Sequence, residues 1–292
     1  MTKHFLYGYF GQKNTGDDAM LYCWLENMNN NDTAYILCKN PCYVPNDTLV
    51  KFIPYNALKA ITGLLRADNV TVVGGTHFSN YGKMHRNFLI TLRILAVAML
   101  AKLFRKKVYF DSIGIVCGNW WLWMMLFLVT RFTDRITVRD EVSKVILGTI
   151  GVKADLVEDL AIGLQKHIGS VSKNCGTLGV NVSPLYKIYF DYPLADEDIL
   201  TDIAGMINQS VKYNKVKLII LREGDTVYTK KLESMIDKRT EMVYYSENPV
   251  DALYEISKCG YLIAMKYHAC YFAKLTDVPF TNLSSHPKNE RV

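Results

Sequence analysis

The residues best suited to chemistry lie late in the chain, where Lys266 and His268 stand at the change from an apolar strand to a helix. A lysine ammonium, a titratable imidazole and a helix N-terminus at one place all favour a bound anion. This segment therefore predicts an anion site with a group that can transfer protons. A partly buried histidine that the backbone caps would leave the same pattern, so that interpretation stays open.

An early glycine-bearing turn carries the acids. Gly8 to Ala19 links a short aromatic strand to a helix, and Asp17 and Asp18 occupy the first turn of that helix. Amides at a helix start suit an anion, but two carboxylates there repel one and balance the helix dipole themselves. The turn also fits neither the dinucleotide fingerprint nor the P-loop spacing. Either these acids cap the helix, or one of them binds sugar hydroxyls or acts as a base.

Two further turns each follow an apolar strand. Gly74 and Gly75 would let a ligand approach the backbone closely. His77 beside them is either a hydrogen-bonded loop residue or a general base. Arg139 and Asp140 end another strand, where the two side chains would form an ion pair with each other.

Strands and helices alternate around these turns. In the first half, residues 5–9, 70–73, 107–110 and 135–138 read as strands that each lead into a helix. A second such cycle, which includes a predicted helix over residues 249–257, begins after a polar stretch at 170–176, which is the candidate linker. This alternation is typical of parallel sheets covered by helices on both faces.

The predicted fold class is therefore α/β, with two doubly wound Rossmann-like domains facing a cleft in a GT-B-like arrangement. The domains are expected to span residues 1–169 and 170–292. In such sheets ligands bind beyond the carboxyl ends of the strands, and each of the chemically promising turns falls at such an end.

Composition narrows the class of protein. The 292 residues are half hydrophobic, and the formal charge of +6 includes only one compact basic run, Arg105–Lys106–Lys107, so a nucleic-acid partner is not indicated. Seven scattered cysteines without a C-x-x-C pair argue for a reducing compartment and against structural zinc. The N-terminus shows no signal-peptide core, so the expected location is the cytoplasm.

Two apolar stretches resemble membrane segments, residues 88–104 and 120–130. Arg93 and Lys102 interrupt the first, and the second is too short to span a bilayer. Both are expected to be buried or interface helices. Flanking cations at residues 105–107 and at Arg131 leave open a contact of one helix with the inner leaflet.

Taken in the order in which they occur along the chain, the motifs resemble those of the polysaccharide pyruvyl transferase family over nearly the whole chain. At four positions the chain departs from the family pattern: Thr76 replaces a glycine, Asn80 an acid, and Ser183 and Lys266 arginines. Arginine grips a carboxylate or phosphate with two hydrogen bonds, whereas lysine offers a point charge, so the change at Lys266 bears on donor affinity. The matching residues are Asn14, Gly16, Asp17 and Asp18; Arg139, Asp140 and Ser143; Asp159 and Ala161; and Lys266, His268, Phe272 and Ala273.

The resemblance implies a transferase that moves the enolpyruvyl group of phosphoenolpyruvate onto two hydroxyls of one sugar. The product is a pyruvate ketal on a precursor of a cell-surface polysaccharide such as an exopolysaccharide or capsule, and neither a cofactor nor a metal is expected. The first domain would hold the acceptor and the second the donor. His268 is the catalytic candidate, with Asp17 or Asp18 as base; donor candidates are Lys266, Arg139 and Arg222, and acceptor candidates are Asn14, Gly16, Gly74, Gly75 and Asn80.

At the end of the chain, His286–Pro287–Lys288 resembles the family's last lysine-bearing turn, and we expect the second domain to lack the family's closing helix. Two alternatives stay open: a GT-B-type glycosyltransferase that uses a nucleotide sugar, with Glu247 as the nucleotide-binding acid, or a non-catalytic sugar- or lipid-binding paralogue. The acceptor sugar, and whether a polyprenyl lipid carries it at the inner face of the membrane, also stay open.

Overall fold

A computed structural model describes residues 1–80, 82–169, 171, 173–190 and 192–283. The chain forms two compact units. The first contains Met1–Gln12 and Asp17–Ile162, and the second contains Lys13–Gly16 and the chain from Gly163 onward. The second unit therefore includes a short piece of the N-terminal sequence. The predicted turn at His286–Pro287–Lys288 lies outside the described residues, as do Ser170 and Ser172 of the predicted linker.

The first unit is a run of parallel strands and helices. In chain order its elements are β1 (Lys3–Tyr7), α1 (Thr15–Glu26, of which the first two residues are grouped with the second unit), β2 (Thr33–Cys38), β3 (Leu49–Pro54), α2 (Ala57–Arg66), β4 (Asn69–Val73), β5 (Phe78–Ser79), α3 (Met84–Leu103), β6 (Lys107–Ile113), β7 (Ile115–Val116), α4 (Trp120–Thr130), β8 (Arg135–Val138), α5 (Glu141–Thr149) and β9 (Asp155–Leu156). A 3-10 helix, Leu160–His167, follows.

The strands of this unit form a seven-stranded sheet in the order β3-β2-β1-β4-β6-β8-β9, with every neighbouring pair parallel, and β5 pairs with β7 separately. The chain moves outward from β1 to β3 and then returns to β4, so a topological switch point lies between β1 and β4. Helices cover both faces: Leu64, Ile94, Leu126 and Leu147 from α2–α5 lie in one core cluster, and Leu21 of α1 lies in another.

The second unit repeats the plan on a smaller scale. Its elements are β10 (Asn174–Asn181), α6 (Leu185–Phe190), α7 (Pro193–Gln209), β11 (Lys215–Ile219), a 3-10 turn (Glu223–Asp225), α8 (Thr226–Glu233), β12 (Arg239–Val243), α9 (Pro249–Ser257), β13 (Cys259–Ala264), α10 (Tyr267–Leu275) and β14 (Phe280–Asn282). The sheet order is β12-β11-β10-β13-β14, again with parallel neighbours. Its switch point lies between β10 and β13.

The α/β class with parallel, doubly wound sheets is thus confirmed. The strand at 135–138 and the helix at 249–257 have the predicted bounds. The sequence interpretation missed β2, β3 and α2. Helix α2 begins at an N-cap, Asn56, whose side chain accepts from the Lys59 amide at 3.1 Å. Within the described residues, no helix is long and apolar enough to cross a membrane.

Candidate functional site

The switch point of the second sheet brings together several of the predicted site residues. Asn181 at the end of β10 pairs in register with Ala264 at the end of β13. Ser183 lies two residues beyond the first strand, and Lys266 lies two residues beyond the second. Lys266 is the N-cap of α10, and no side chain caps that helix. The loops beyond these strands therefore carry polar groups to one edge of the sheet.

The segment Lys13–Gly16 is part of this edge. The Thr15 amide donates to the Leu221 carbonyl at 2.9 Å, and the Glu223 amide donates to the Lys13 carbonyl at 3.1 Å. Asn14 and Arg222 form an antiparallel bridge between these two bonds. The segment thereby extends the loop that follows β11 and joins the second unit through its backbone.

Gly16 and His268 pack against each other. A Cβ added at Gly16 would overlap the imidazole at Nδ1, Cγ and Cε1, so any side chain at this position would displace the ring. On its other sides the imidazole meets Tyr267 edge-on, with ring centroids 5.1 Å apart, and Phe272 at 6.2 Å. The missing side chain at Gly16 therefore fixes where His268 sits.

The charge of Lys266 is already matched in part. Its Nζ donates to Oδ2 of Asp225 at 2.7 Å, and Asp225 is almost fully buried. Arg222 is half-buried and takes part in no ion pair within the described residues. Its carbonyl accepts from the amide of Asp225 at 2.9 Å, so Arg222 adds a second positive charge to the turn that holds the partner of Lys266.

Three buried polar atoms at this edge lack a hydrogen-bond partner in the part of the chain that the structure describes: Oγ1 of Thr15, Oδ1 of Asn181 and Oγ of Ser183. Asn181 does use its Nδ2, which donates to the Ile219 carbonyl at 2.8 Å. Buried polar groups are nearly always paired, and these three lie at or beyond the ends of β10 and β11, which indicates atoms positioned for something that binds there. Two of them are hydroxyls, which can donate to an anion.

Asp196 holds the chain that follows Ser183 by accepting hydrogen bonds from its backbone amides. Its two carboxylate oxygens accept from the amides of Tyr186 and Lys187 at 3.0 and 2.7 Å. The first turn of α6 is therefore satisfied by a protein carboxylate. The residues that remain for an anion are those of α10 and of the loop after β11.

The acids of α1 differ in burial. Asp18 is almost fully buried and accepts from the Gly11 amide at 3.2 Å. Burial, aided by the Asp18 carboxylate, raises the pKa of the neighbouring Cys38 thiol to about 11. Asp17 is only half-buried and directly follows Gly16 in the chain. Asp18 is thus buried and bonded to the backbone of the preceding turn, and Asp17 is the more accessible of the two acids.

The switch point of the first sheet holds the paired glycines. Both have positive φ, +55° at Gly74 and +75° at Gly75, and a Cβ at Gly74 would overlap the side chain of Met20 on α1. These glycines therefore serve chain reversal and helix packing in the structure. Nearby, Nε2 of His77 and Oδ1 of Asn80 are buried without a hydrogen-bond partner among the described residues.

Burial lowers the pKa of His77 to about 4, with the charge of Arg139 acting in the same direction, so its imidazole is neutral at physiological pH. A neutral imidazole with a buried, unpaired ring nitrogen can exchange a proton with a hydroxyl. His77 is therefore a candidate that the sequence interpretation mentioned but did not select.

Arg139 lies in a buried ion pair. Its Nη1 donates to Asp159 Oδ2 at 2.6 Å and its Nη2 to Thr76 Oγ1 at 3.0 Å, and the two charged side chains are 4% and 1% exposed. Asp140, the expected partner of Arg139, instead caps α5 by accepting from the Ser143 amide at 2.8 Å. Two motifs of the predicted set thus meet in the core of the first unit, and Thr76 supplies a hydrogen bond where a glycine was expected.

The predicted site residues therefore divide between the units. Asn14, Gly16, Arg222, Lys266 and His268 come together in the second unit, and Asp17, Asp18, Gly74, Gly75, Asn80 and Arg139 belong to the first. Sequence reasoning missed Thr15 and Asn181, since neither hydroxyl nor amide side chains at strand ends carry a local signal. No group of His, Cys, Asp and Glu side chains that could hold a metal ion forms among the described residues.

Comparison with known proteins adds a family. A family model for polysaccharide pyruvyl transferase matches residues 14–287. No curated protein sequence matches the chain.

The fold has many relatives among solved structures. The S. aureus MnaA–UDP co-structure superposes with a TM-score of 0.64 at 13% identity, covering 98% of this chain and 80% of that one. UDP-GlcNAc 2-epimerase from Neisseria meningitidis, bound to UDP-GlcNAc, gives 0.62 at 12%, covering 99% and 84%. The Methanocaldococcus jannaschii UDP-GlcNAc 2-epimerase gives 0.60 at 13%, covering 100% and 87%. At such identities the likeness concerns the fold alone, and it confirms the GT-B-like class.

Proposed function

Because the chain belongs to the polysaccharide pyruvyl transferase family, we propose that it transfers the enolpyruvyl group of phosphoenolpyruvate to a sugar of a cell-surface polysaccharide precursor, forming a pyruvate ketal. The observation that carries the proposal is the edge of the second sheet. This edge carries Lys266, Arg222 and the start of α10, together with two buried hydroxyls that lack partners within the described residues. This arrangement suits a small, strongly anionic donor.

Phosphoenolpyruvate has a three-carbon skeleton in which C1 is a carboxylate and the neighbouring C2 carries the phosphate. Cations and hydrogen-bond donors must therefore be concentrated in a small volume. Lys266 supplies a positive charge, Arg222 can bind a carboxylate or phosphate with two N–H groups, and the hydroxyls of Thr15 and Ser183 can donate to the remaining oxygens. Asp225 limits the local positive charge, which favours release of the phosphate after reaction.

The reaction balances as two additions and one departure. One sugar hydroxyl adds its oxygen to C2 of the donor and gives up its proton, while the methylene carbon gains one proton from the general acid and becomes a methyl group. The bond from C2 to the phosphate oxygen then breaks, the second hydroxyl adds its oxygen to C2, and its proton goes to a base. Phosphate departs, and the methyl, carboxylate and two sugar oxygens remain on C2. The enzyme must therefore supply one general acid and one general base.

His268 is the proposed acid or donor-binding residue, because it is held against the segment Lys13–Gly16 beside Lys266. Asp17 is the proposed base in preference to Asp18, because Asp18 is buried and already accepts from the Gly11 amide. In the first unit, Asn80 and the neutral imidazole of His77 offer buried polar atoms for an acceptor hydroxyl. Gly74 and Gly75 shape the loop that carries them.

The test is phosphate release from phosphoenolpyruvate by the purified protein, offered a panel of sugar acceptors. We expect release that depends on the acceptor and is abolished in His268→Ala. His167→Ala, which changes an exposed histidine of the same unit, is the matched control and should retain activity. Mass spectrometry of the product should show the added pyruvate ketal.

Failure to bind or consume phosphoenolpyruvate would overturn the proposal. In that case the nucleotide-sugar alternative is tested by titrating the protein with UDP. UDP is the ligand in the S. aureus MnaA co-structure. Glu247 lies exposed between β12 and α9, where it would have to recruit a nucleotide. Binding of UDP that Glu247→Gln weakens would favour a glycosyltransferase, and binding of neither ligand would favour a non-catalytic paralogue.

A further inference from the structure

Helices α3 and α4 expose an unusual amount of apolar side chain on the outer face of the first unit. The two helices pack side by side, with the rings of Phe88 and Trp121 in edge contact at 5.9 Å. We call the exposed face the α3–α4 surface. It consists of Met84, Phe88, Leu89, Leu92, Met99, Leu103 and Phe104 from α3 and its end, and of Trp120, Met124, Phe127 and Leu128 from α4.

The exposed residues follow helical spacing. On α3, Phe88, Leu92, Met99 and Leu103 follow one another at spacings of four, seven and four residues, and the inward positions between them hold buried residues such as Ile94. Both helices therefore carry apolar side chains on the side that faces the core and also on the side that faces solvent. Single exposed apolar residues are common, but a continuous set of this size marks an interaction site.

The charge of the same region is one-sided. Residues 69–133 contain eight lysines and arginines and a single acid, Asp111, a formal charge of +7 when the whole chain carries +6. Asp111 itself accepts from the indole of Trp24 at 2.9 Å. The net positive charge of the protein thus arises in the segment that forms the α3–α4 surface, because the rest of the chain sums to −1.

Several of these cations border the apolar side chains. Lys83, Arg86, Arg93, Arg105 and Arg131 are exposed. The Arg131 guanidinium lies over the ring of Phe127, 4.4 Å from its centroid. Lys102 and Lys107 are partly neutralised by Asp134, at 2.5 and 3.9 Å. The border of the surface is therefore cationic, with long side chains that can extend away from an apolar layer.

We infer that the α3–α4 surface docks the protein on a bilayer that contains anionic lipid. Apolar side chains enter the interface, the exposed indole of Trp120 lies at the depth that tryptophan prefers, and the bordering cations meet lipid phosphates. A second copy of the chain would present the same cationic border, and the like charges would repel. The inference does not rest on the proposed reaction, because the residues of the α3–α4 surface are not among the proposed site residues.

The test is co-sedimentation of the full chain with vesicles of phosphatidylcholine alone or with phosphatidylglycerol added. We expect binding to the anionic vesicles that weakens as salt is raised. Trp120→Ser and Leu103→Ser, at side chains 77% and 75% exposed, should each lower partitioning at least tenfold without unfolding the protein. Arg93→Gln and Arg131→Gln should each lower it about fivefold, the effect of one cation near an anionic surface.

Matched controls come from the second unit. Val227→Ser, at a side chain 81% exposed, and Lys230→Gln should leave vesicle binding unchanged. Three results would overturn the inference: no binding of the wild-type protein to either vesicle, equal binding of the α3–α4 variants and wild type, or a concentration-dependent dimer in ultracentrifugation that Leu103→Ser abolishes. Loss of binding in these variants with phosphate release from phosphoenolpyruvate retained in solution would separate docking from catalysis.

Discussion

The imidazole of His268 rests on the backbone of Gly16, and this contact joins a residue from each end of the sequence within one compact unit. A methyl group at Gly16 would overlap the ring. Gly16→Ala is therefore expected to displace His268 and to lower the rate of phosphate release at least tenfold, a loss typical for a misplaced catalytic group. The measurement is kcat with phosphoenolpyruvate and acceptor, alongside the melting temperature.

The control is Gly205→Ala on α7, where an added Cβ meets nothing within 4 Å. This change should leave activity intact and, because alanine favours helix, slightly raise the melting temperature. Equal activity of Gly16→Ala and Gly205→Ala would show that the position of His268 does not matter for turnover.

Ser183 gives a prediction in which stability and binding move in opposite directions. Its Oγ is fully buried without a partner among the described residues, so Ser183→Ala removes an unsatisfied hydroxyl and should raise the free energy of unfolding by about 1 kcal/mol. The same change should weaken phosphoenolpyruvate binding, measured by calorimetry. Ser257→Ala is the matched control, because that buried hydroxyl donates to the Tyr254 carbonyl at 2.7 Å, and it should destabilise the protein without affecting the donor. Destabilisation by Ser183→Ala would argue against the interpretation.

Substitution by arginine is expected to have different effects at Lys266 and at Ser183. Lys266 is part-exposed beside Asp225, so Lys266→Arg should fold normally and bind the donor at least as tightly. Ser183 has no exposed surface, so Ser183→Arg should unfold the second unit or force its loop aside. Circular dichroism and donor titration of the two variants check this. Restoring the family's arginine is therefore expected to succeed at one position only.

The ion pair of Arg139 and Asp159 makes a prediction about stability. Asp159→Asn leaves a buried guanidinium without its counter-charge and should reduce the free energy of unfolding by about 3 kcal/mol. Asp155→Asn breaks a pair in which both side chains are about two-thirds exposed, and its effect should be about 1 kcal/mol or less. Urea unfolding measures both. If Asp159→Asn is as stable as wild type but no longer binds phosphoenolpyruvate, then Arg139 acts on the donor as the family resemblance implies.

His77 predicts a pH dependence. Its pKa is 6.5 in the unfolded chain and about 4 in the folded protein because of burial, so the unfolded chain binds more protons between these values. This contribution to the free energy of unfolding is complete above pH 6.5 and is lost as the pH falls towards 4, by up to about 3 kcal/mol. His77→Gln should flatten the dependence of the urea midpoint on pH over that window. His85→Gln, an exposed histidine on α3, should leave it unchanged.

The sequence was informative wherever the chemistry of a segment was local. Strand β8 and helix α9 were located at their observed bounds because an apolar run, an N-cap and a proline at the first helical position leave few alternatives. Strand β2 was missed although all six of its residues are buried. A run that is apolar throughout has no alternating pattern and resembles a buried helix segment.

Pairings over long distances in sequence were harder to foresee. Arg139 has an acid at the next position, yet it pairs with Asp159, because Asp140 turns back to cap α5. Asn14 and Gly16 were expected with the acceptor, and the structure places them against Arg222 and His268. The register of each sheet and the course of its loops decide such contacts, and no local spacing encodes that register.

The four residues Lys13–Gly16 have a consequence for how this protein can be divided or recombined. They lie far from the rest of the second unit along the chain, but their backbone bonds are made with residues 221–223 and Gly16 packs against the imidazole of His268. A polypeptide cut at residue 162 would leave the later fragment with His268 but without the segment Lys13–Gly16, against which the imidazole packs. A chimaera that exchanges the second half between two family members would therefore combine a foreign turn with the native imidazole. Inheritance of the second unit as a working module requires that this early turn be inherited with it.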